Sequence, residues 1–293
     1  MEPVPDAMTD PDANGAAGAV QERAVLVVGG GTMGAGIAQV LLSAGHSVRL
    51  SETSSRLARE ASARVHEGLR RAGDEPAVER LEVVVGLPGH FGEAVLAVEA
   101  VPEDESSKRD VLADVESHVG EGTLIASNTS SLSIAALARA LRRPERFLGM
   151  HFFNPVPRSA LVELVVGPAT SADALDAARE WVRAIGKEEI VVRDAPGFAT
   201  SRLGIAIGLE AIRMVEEGVA SPEDIDRAMV LGYRFPMGPL RLTDLVGLDV
   251  RLAIAEHLAS TLGDRYTPPK LLRDKVAAGE LGKKTGKGFF VWT

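Results

Sequence analysis

Three glycines in the segment GGGTMGAG have the spacing of a phosphate-binding turn. Gly29, Gly31 and Gly34 satisfy the pattern G-x-G-x-x-G directly after the apolar run AVLVV. Such glycines permit a tight turn, close approach of the backbone to a pyrophosphate and close packing of a helix on a strand. Free N–H groups at the start of that helix bind the anion. We therefore expect a dinucleotide to contact Gly29, Gly31, Thr32, Met33 and Gly34.

An acidic residue follows this turn at the spacing expected for a residue that binds the ribose of a dinucleotide. Glu52 ends the second apolar run, 23 residues after Gly29. A carboxylate there accepts hydrogen bonds from both ribose hydroxyls and repels a 2′-phosphate, which favours NAD over NADP. Arg49 and Arg56 flank the acid and keep NADP as an alternative. The structural alternative is a glycine-rich turn with a solvent-exposed glutamate.

One histidine has an acidic counterpart at a matching distance from a turn. His151 lies in the run RFLGMHFF, and Glu163 is the acid of the next apolar run, LVELVV. The two positions are symmetric about Pro157, so adjacent antiparallel strands would bring their side chains together. A carboxylate beside an imidazole fixes its tautomer and raises its basicity, as a general base requires. A histidine packed among core aromatics is the structural alternative.

A cluster of small polar residues follows the run TLIA. Ser127-Asn128-Thr129-Ser130-Ser131 places hydroxyl and amide groups at the end of a predicted strand. Open α/β sheets bind ligands at the carboxyl ends of their strands, so these groups are candidates for ligand contact. Ser131 or Ser133 is also a candidate N-cap for the helix that starts near Ile134.

The elements that must position these groups alternate in type over residues 21–193. Near-continuous apolar runs predict strands buried on both faces of a parallel sheet, with helices covering both faces. The predicted strands are 24–29, 48–50, 81–86, 94–101, 123–127, 146–153, 161–166 and 189–192. The predicted helices are 33–44, 54–71, 105–118, 133–142 and 173–185.

The pattern changes near residue 194 and predicts a second, smaller domain over residues 194–293. Apolar residues at helical spacing predict helices at 205–217 and 240–262, with a break at Gly247. Ser221-Pro222-Glu223-Asp224 has the form of a helix start. No convincing strand is expected until the last few residues. Residues 1–20 are acidic and rich in Pro, Gly and Ala, and we interpret them as a flexible tail.

Composition narrows the class of protein. The 293 residues include 32 Lys and Arg against 41 Asp and Glu, a net charge of −9, and no basic run exceeds three residues, which disfavours nucleic acid as a partner. No apolar run is long enough to span a membrane. Without cysteine, disulfides, thiolate catalysis and Cys-ligated zinc are excluded. The six histidines lack metal-binding spacing, so we expect no metal site, and the expected location is cytoplasmic.

These motifs together resemble the 3-hydroxyacyl-CoA dehydrogenase family. The matching strings extend over most of residues 24–290 in the family's order. They are VVGGGTMGAGIAQV, VEAVPED, ASNTSSLSI, GMHFFNPVP, LVELV, DAPGFATSRL, EDIDRAM, FPMGPLRLTDLVGLD and GKKTGKGFF. The resemblance implies an α/β fold: a Rossmann-type NAD-binding domain followed by a smaller all-helical C-terminal domain that carries a dimer interface. It also implies reversible oxidation of an L-3-hydroxyacyl-CoA to the 3-ketoacyl-CoA with NAD.

The resemblance also implies roles for individual residues. His151 corresponds to the catalytic base, Glu163 to its carboxylate partner, and Ser130 to the serine that bonds the substrate's C3 oxygen. Four further positions match family residues that contact the cofactor. These are Glu103, Lys108, Asn154 and Lys284.

Two departures from the family pattern concern the substrate. Ser201 replaces an asparagine that helps to hold the substrate carbonyl, so we expect slower or differently selective catalysis. The stretch 52–81 is shorter than the Lys-rich hairpin common in the family. Arg64, Arg70 and Arg71 in that stretch are candidates for contact with CoA phosphates, although an exposed Arg-rich helix surface is the commoner explanation.

Three functional hypotheses follow. The first is an NAD-dependent dehydrogenase of a short-chain 3-hydroxyacyl-CoA, such as 3-hydroxybutyryl-CoA. The second keeps the same chemistry for a small 3-hydroxy acid without CoA, as relatives acting on gulonate or carnitine do. The third is an NAD-binding protein without catalysis that serves structurally, as lens crystallin relatives do.

Overall fold

The computed structural model describes residues 22–292, so the predicted tail at 1–20 lies outside the described residues. Within this range the first half forms an eight-stranded sheet in the order β3-β2-β1-β4-β5-β6-β7-β8. The strands are β1 Ala24–Val28, β2 Ser47–Glu52, β3 Leu81–Val85, β4 Ala94–Glu99, β5 Leu124–Ser127, β6 Phe147–Phe152, β7 Leu161–Val166 and β8 Glu188–Arg193. Each corresponds to one of the eight predicted strands.

Helices connect these strands and cover the sheet. In the first half they are α1 Thr32–Ser43, α2 Ser55–Ala72, α3 Glu105–His118, α4 Ile134–Ala138 and α5 Ala172–Ala184. α4 is shorter than the helix predicted over 133–142. The strands β6 and β7 pair antiparallel, whereas the other neighbouring strands pair parallel. The order reverses between β1 and β4, so the ligand crevice of an open α/β sheet is expected at the carboxyl ends of these strands.

Alternate residues of each strand pack on opposite faces of the sheet. Val25 and Val27 of β1 join the core beneath α1, α2 and α5, whereas Leu26 and Val28 join the core beneath α3 and α4. All four side chains are buried because both faces are covered. This double burial explains why the strands appear in the sequence as continuous apolar runs rather than as an alternation of apolar and polar residues.

The second half of the described chain is helical. Its helices are α6 Thr200–Glu216, α7 Pro222–Tyr233, α8 Pro239–Val246, α9 Leu248–Leu262 and α10 Lys270–Ala277. They enclose a separate apolar core that includes Ile205, Leu240 and Leu258. The fold class is therefore as predicted: an α/β sheet domain followed by a smaller helical one.

Local sequence signals account for most of these helix boundaries. Ser221 caps α7 by accepting a hydrogen bond from the Asp224 N–H, as its N-cap motif predicts. Gly247, with φ of 104°, separates α8 from α9 at the predicted break. α10 was not predicted, although the preceding Pro268 and Pro269 are a helix-start signal. None of the described helices is long and apolar enough to cross a bilayer.

Candidate active site

The glycine turn joins β1 to α1, as the spacing predicts. Gly29 has φ of 95°, and a Cβ on Gly34 would lie 1.7 Å from the Gly29 carbonyl oxygen, so neither position accepts a side chain. A Cβ on Gly31 would meet nothing within 4 Å, so the backbone of this residue faces open space. α1 begins at Thr32 without a side-chain cap, and its first N–H groups are available to an anion. These features fit the pyrophosphate of a dinucleotide.

Glu52 lies beside this turn at the end of β2. Its Oε1 accepts a hydrogen bond from the Gly30 N–H at 2.7 Å, and its Oε2 accepts from the Thr53 N–H at 3.1 Å. Both flanking arginines are occupied elsewhere. Arg49 pairs with Glu82 at 2.5 Å, and Arg56 pairs with Glu60 at 2.5 Å. The two flanking arginines are therefore engaged by other acids, but a third cation does contact the turn: Arg64 donates to the Gly30 carbonyl at 3.3 Å.

His151 and Glu163 are direct neighbours across β6 and β7. Nδ1 of His151 lies 2.7 Å from Oε2 of Glu163. Because a carboxylate only accepts hydrogen bonds, this contact assigns the proton to Nδ1 and leaves Nε2 as the basic nitrogen. Glu163 is fully buried, and the imidazole of His151, 7% exposed, packs against the rings of Phe153 and Phe198.

The start of α6 completes the environment of Glu163. Its Oε1 accepts from the N–H groups of Ala199 and Thr200, and its Oε2 accepts from the Thr200 hydroxyl at 2.6 Å. Burial by itself would raise the pKa of Glu163, but the hydrogen bonds from His151 and Thr200 outweigh it and hold the pKa below its ordinary value. Glu163 is therefore an ionised carboxylate at neutral pH. Thr200 has no signal in the sequence that links it to Glu163.

The serine cluster after β5 is organised by Glu103. Its Oε1 accepts from the N–H groups of Ser130 and Ser131 at 2.8 and 2.9 Å, and from the Thr129 hydroxyl at 2.7 Å. Burial would raise the pKa of Glu103, but Lys108 and these hydrogen bonds hold it below its ordinary value. Ser133 is the N-cap of α4, one of the two candidates for that role.

Lys108 lies behind this cluster rather than in an open crevice. Its side chain is 1% exposed, and its Nζ lies 2.7 Å from Oε1 of Glu99 and 3.5 Å from Oε2 of Glu103. The buried Ser127 hydroxyl donates to the same Glu99 at 2.5 Å. These contacts orient the polar cluster. The resemblance implies that Lys108 contacts the cofactor directly, but its buried position gives no support to such a contact. Glu99 was missed because a glutamate inside an apolar run has no distinctive spacing.

Ser201 lies in the first turn of α6, facing the serine cluster. Its hydroxyl is 3.5 Å from the Ser130 carbonyl oxygen, at the limit of a hydrogen bond.

The two remaining candidates for cofactor contact are Lys284 and Asn154. Lys284 is in the helical part, where its Nζ lies 2.6 Å from Asp249. Asn154 follows β6, and the neighbouring Asn128 accepts from the Phe152 N–H at 2.9 Å and so supports the end of that strand. Asn128 was predicted only as a member of the polar cluster.

A cavity of about 710 Å³ adjoins the glycine turn between α1, α2 and residues 154–158. Its lining residues include Thr32, Arg64, Arg71, Asn154 and Arg158. The Arg64 guanidinium also donates to the Gly30 carbonyl at 3.3 Å, which joins this cavity to the dinucleotide turn. Within residues 22–292, no group of three or more His, Asp or Glu side chains could hold a metal ion.

The sheet order, the glycine turn and Glu52 together define a dinucleotide-binding protein of the Rossmann class. Family models match at residues 24–195, as "3-hydroxyacyl-CoA dehydrogenase, NAD binding domain", and at residues 197–292, as the C-terminal domain of the same family. The chain belongs to the 3-hydroxyacyl-CoA dehydrogenase family, and its cofactor is NAD.

Individual relatives are similar over most of their length. The chain is 39% identical over 283 residues to the mitochondrial hydroxyacyl-coenzyme A dehydrogenase of Homo sapiens, covering 91% of this chain and 90% of the relative. It is 40% identical over 277 residues to a 3-hydroxybutyryl-CoA dehydrogenase of Mycobacterium tuberculosis, covering 91% and 97%. The crystal structure of (S)-3-hydroxybutyryl-CoA dehydrogenase PaaH1 from Ralstonia eutropha superposes with a TM-score of 0.88 at 40% identity, covering 93% and 99%.

Proposed function

We propose that this protein catalyses the reversible, NAD-dependent oxidation of a short-chain L-3-hydroxyacyl-CoA to the 3-ketoacyl-CoA. The observation that carries the proposal is the buried contact between His151 and Glu163 at 2.7 Å, next to the first turn of α6 and the serine cluster. Such a pair supplies a general base whose conjugate acid is stabilised by a fixed negative charge. The family membership supports the same reaction.

The proposed roles of the chain's own residues follow from their contacts. Nε2 of His151 takes the proton of the C3 hydroxyl, and ionised Glu163 stabilises the imidazolium that forms. The Ser130 hydroxyl bonds the C3 oxygen, while Glu103 orients Ser130 through its N–H and hydroxyl. A bound NAD would supply the acceptor for the hydride of C3, and a bound NADH would supply the donor for the reverse reaction. The glycine turn and Glu52 would hold this cofactor.

The cavity between α1 and α2 supports CoA as the acyl carrier. Arg64, Arg71 and Arg158 line it, and guanidinium groups are well suited to phosphate recognition. Arg71 pairs with Glu67 of the same lining at 2.6 Å, whereas Arg158 forms no ion pair among the described residues. This arrangement favours an acyl-CoA over the alternative of a small 3-hydroxy acid without CoA. We propose 3-hydroxybutyryl-CoA as a representative substrate.

A comparison of two oxidants of NADH tests the proposal. The purified protein should oxidise NADH with acetoacetyl-CoA at a far higher kcat/KM than with free acetoacetate. Arg71→Gln should raise KM for acetoacetyl-CoA, whereas the control Arg59→Gln, at an exposed position of the same helix outside the cavity lining, should not. A higher kcat/KM with acetoacetate would favour the non-CoA alternative. Tight NADH binding without turnover on either compound would favour the structural alternative.

The organisation of the protein forms a second part of the proposal. We infer a cytoplasmic homodimer in which residues 21–193 bind NAD and residues 194–293 contribute to substrate binding and dimerisation. Several large apolar side chains are exposed on α6–α9, which supports a partner surface there. They are Leu203, Val230, Leu231, Tyr233, Leu242, Leu245, Val246 and Val250.

A further inference from the structure

A buried guanidinium in the helical domain has no counter-ion. Arg251, in the first turn of α9, is 7% exposed. Among residues 22–292 its guanidinium forms no ion pair, and its Nε is buried without a hydrogen-bond partner. Asp249, the acid nearest in sequence, is paired with Lys284 instead. Burial lowers the pKa of Arg251 to about 10, so the group still carries its charge at neutral pH.

This guanidinium packs against α6 at Gly204. A Cβ on Gly204 would lie 3.1 Å from Nη1 of Arg251, so the absence of a side chain there makes room for the charged group. Residues three and four apart share a helix face, which places Gly204 one turn beyond Thr200 and Ser201. The separation along the helix axis is roughly 4.5–6 Å. Arg251 therefore lies close to the proposed reaction site.

The two residues on that face of α6 both contact the site. The Thr200 hydroxyl donates to Glu163 at 2.6 Å, and the Ser201 hydroxyl faces the Ser130 carbonyl oxygen at 3.5 Å. A ligand that reacts beside His151 and Ser130 and extends by one helical turn along α6 would reach Arg251. The protein thus places a fixed positive charge about one helical turn away from the proposed reaction site. No step of the proposed mechanism uses this charge.

Physical chemistry indicates the kind of group that would pair with this charge. A guanidinium removed from water is unfavourable unless an anion and hydrogen bonds compensate it. A carboxylate matches the planar fork of arginine with two parallel hydrogen bonds. An aliphatic acyl end makes no hydrogen bond to these donors, so a plain short-chain acyl group gains no binding energy from this position.

We propose that Arg251, in the space left by Gly204, binds a carboxylate carried by the substrate and selects substrates that have one near the reacting carbon. The inference rests on the proposed function, because it places the reacting carbon beside His151. Two sources share this chemistry. One is an acyl-CoA whose acyl chain ends in a carboxylate, and the other is the C1 carboxylate of a free 3-hydroxy acid.

The test compares matched oxidants of NADH in the full-length protein. 3-Oxohexanoyl-CoA and 3-oxoadipyl-CoA have the same six-carbon chain, and only the second ends in a carboxylate. Acetoacetate supplies the C1 carboxylate without CoA, and acetoacetyl-CoA is its thioester. The variants are Arg251→Met, which removes the charge, and Arg251→Lys, which keeps the charge without the fork. Arg142→Met, which removes an exposed guanidinium, is the control.

The expected result is a carboxylate preference that depends on Arg251. Arg251→Met should lower kcat/KM for the carboxylate substrate by roughly 10- to 100-fold, the range for loss of a charge-assisted hydrogen bond, and leave the uncharged thioester unaffected. Arg251→Lys should give a smaller loss, and Arg142→Met none. Loss confined to 3-oxoadipyl-CoA identifies the terminal carboxylate as the ligand, and loss confined to acetoacetate identifies the C1 carboxylate.

Other outcomes would overturn the inference. Equal loss on charged and uncharged substrates, or a lowered Tm or loss of the oligomer in Arg251→Met, would assign Arg251 a structural role. An unchanged substrate ratio in Arg251→Met would exclude carboxylate selection. Failure of the proposed function is a separate result, because the wild type would then prefer acetoacetate, as in the non-CoA alternative, or be inactive on all four compounds. In that case adipate and NAD should still raise the Tm of the wild type and not of Arg251→Met, and an equal shift in both proteins would reject the inference.

Discussion

Glu163 joins His151, the proposed base, to the first turn of the helical domain. One of its carboxylate oxygens contacts Nδ1 of His151 at 2.7 Å, and the other accepts from the N–H of Thr200 at 2.9 Å. A helix N-terminus stabilises a negative charge, so α6 supports the ionised carboxylate that in turn fixes the imidazole. The position of the helical domain and the tautomer of the histidine are therefore coupled through one buried side chain.

Removal of the proposed base should abolish turnover without weakening the cofactor complex. His151→Gln should lower kcat by roughly 10²–10⁴, the usual range for a general base. NADH binding should be unchanged, because the glycine turn and Glu52 are distant in sequence and do not contact His151 through a hydrogen bond. Steady-state kinetics and fluorescence titration with NADH measure the two effects. Substantial activity in this variant would exclude His151 from the role of base.

Cofactor choice should depend on Glu52. We expect the wild type to use NADH with a kcat/KM at least about 10²-fold above that for NADPH, because the carboxylate faces the extra phosphate of NADPH. Glu52→Ala should lower the ratio of kcat/KM for NADH to kcat/KM for NADPH. Glu79→Ala, which removes an exposed acid elsewhere, should leave this ratio unchanged. Near-equal values for the two cofactors in the wild type would refute the argument from the carboxylate.

Ser201 should limit the rate. Its hydroxyl reaches only to 3.5 Å from the Ser130 carbonyl, whereas the longer amide of an asparagine extends further into the crevice. Ser201→Asn should raise kcat with acetoacetyl-CoA by less than about 10²-fold, since complete loss of an oxyanion-type donor costs roughly 10²–10³. Ser201→Ala should lower it. If neither variant changes the rate with any acyl-CoA, the position is silent in this enzyme.

A buried histidine remote from the active site should make stability depend on pH. His46 is fully buried against Trp181, at 4.9 Å between ring centroids, and neither of its ring nitrogens has a hydrogen-bond partner among residues 22–292. Burial lowers the pKa of His46 below 6.5, and the charge of Arg23 adds to this effect. As the pH falls, His46 therefore binds a proton at a higher pH in the unfolded chain than in the folded protein.

The sign of the effect follows from that difference in pKa. The free energy of unfolding should hold above about pH 6.5 and decrease as the pH falls below it, by at most about 1.4 kcal/mol per pH unit from this group. His46→Phe should reduce the slope in urea denaturation between about pH 7 and pH 5. His66→Gln, at an exposed position, is the control. An identical slope in His46→Phe and wild type would contradict the prediction.

The exposed apolar face of the helical domain should be the dimer interface. Leu231 is 70% exposed and Tyr233 is 75% exposed, both on α7. Leu231→Asp would place a charge in an apolar contact and should shift the protein towards a monomer, as measured by light scattering after size-exclusion chromatography. Val291→Asp, at a similarly exposed apolar position outside α6–α9, should leave the mass unchanged. A monomeric wild type would reject the proposed interface.

The sequence by itself predicted those features that depend on neighbouring residues or on a regular spacing of apolar residues. Double burial of the sheet left continuous apolar runs, and all eight strands could be located from them. The turn at Asn154–Pro157 sets the pairing of β6 with β7, and this places His151 opposite Glu163. Glu52 could be placed beside the glycine turn because the second strand of a dinucleotide-binding βαβ unit ends next to that turn. Each of these inferences needs only neighbours along the chain or one strand pairing.

Tertiary structure decided the contacts that no spacing encodes. Lys108 pairs with Glu99 behind the serine cluster, and Thr200 contacts Glu163 through both its N–H and its hydroxyl. Arg251 forms no ion pair among residues 22–292, and its guanidinium is buried against Gly204 of α6, 47 positions earlier in the chain. Side chains become buried and lose their water only when segments far apart in the chain pack together. The ion pairs and the pKa values of these groups therefore depend on the tertiary structure and cannot be read from any single segment.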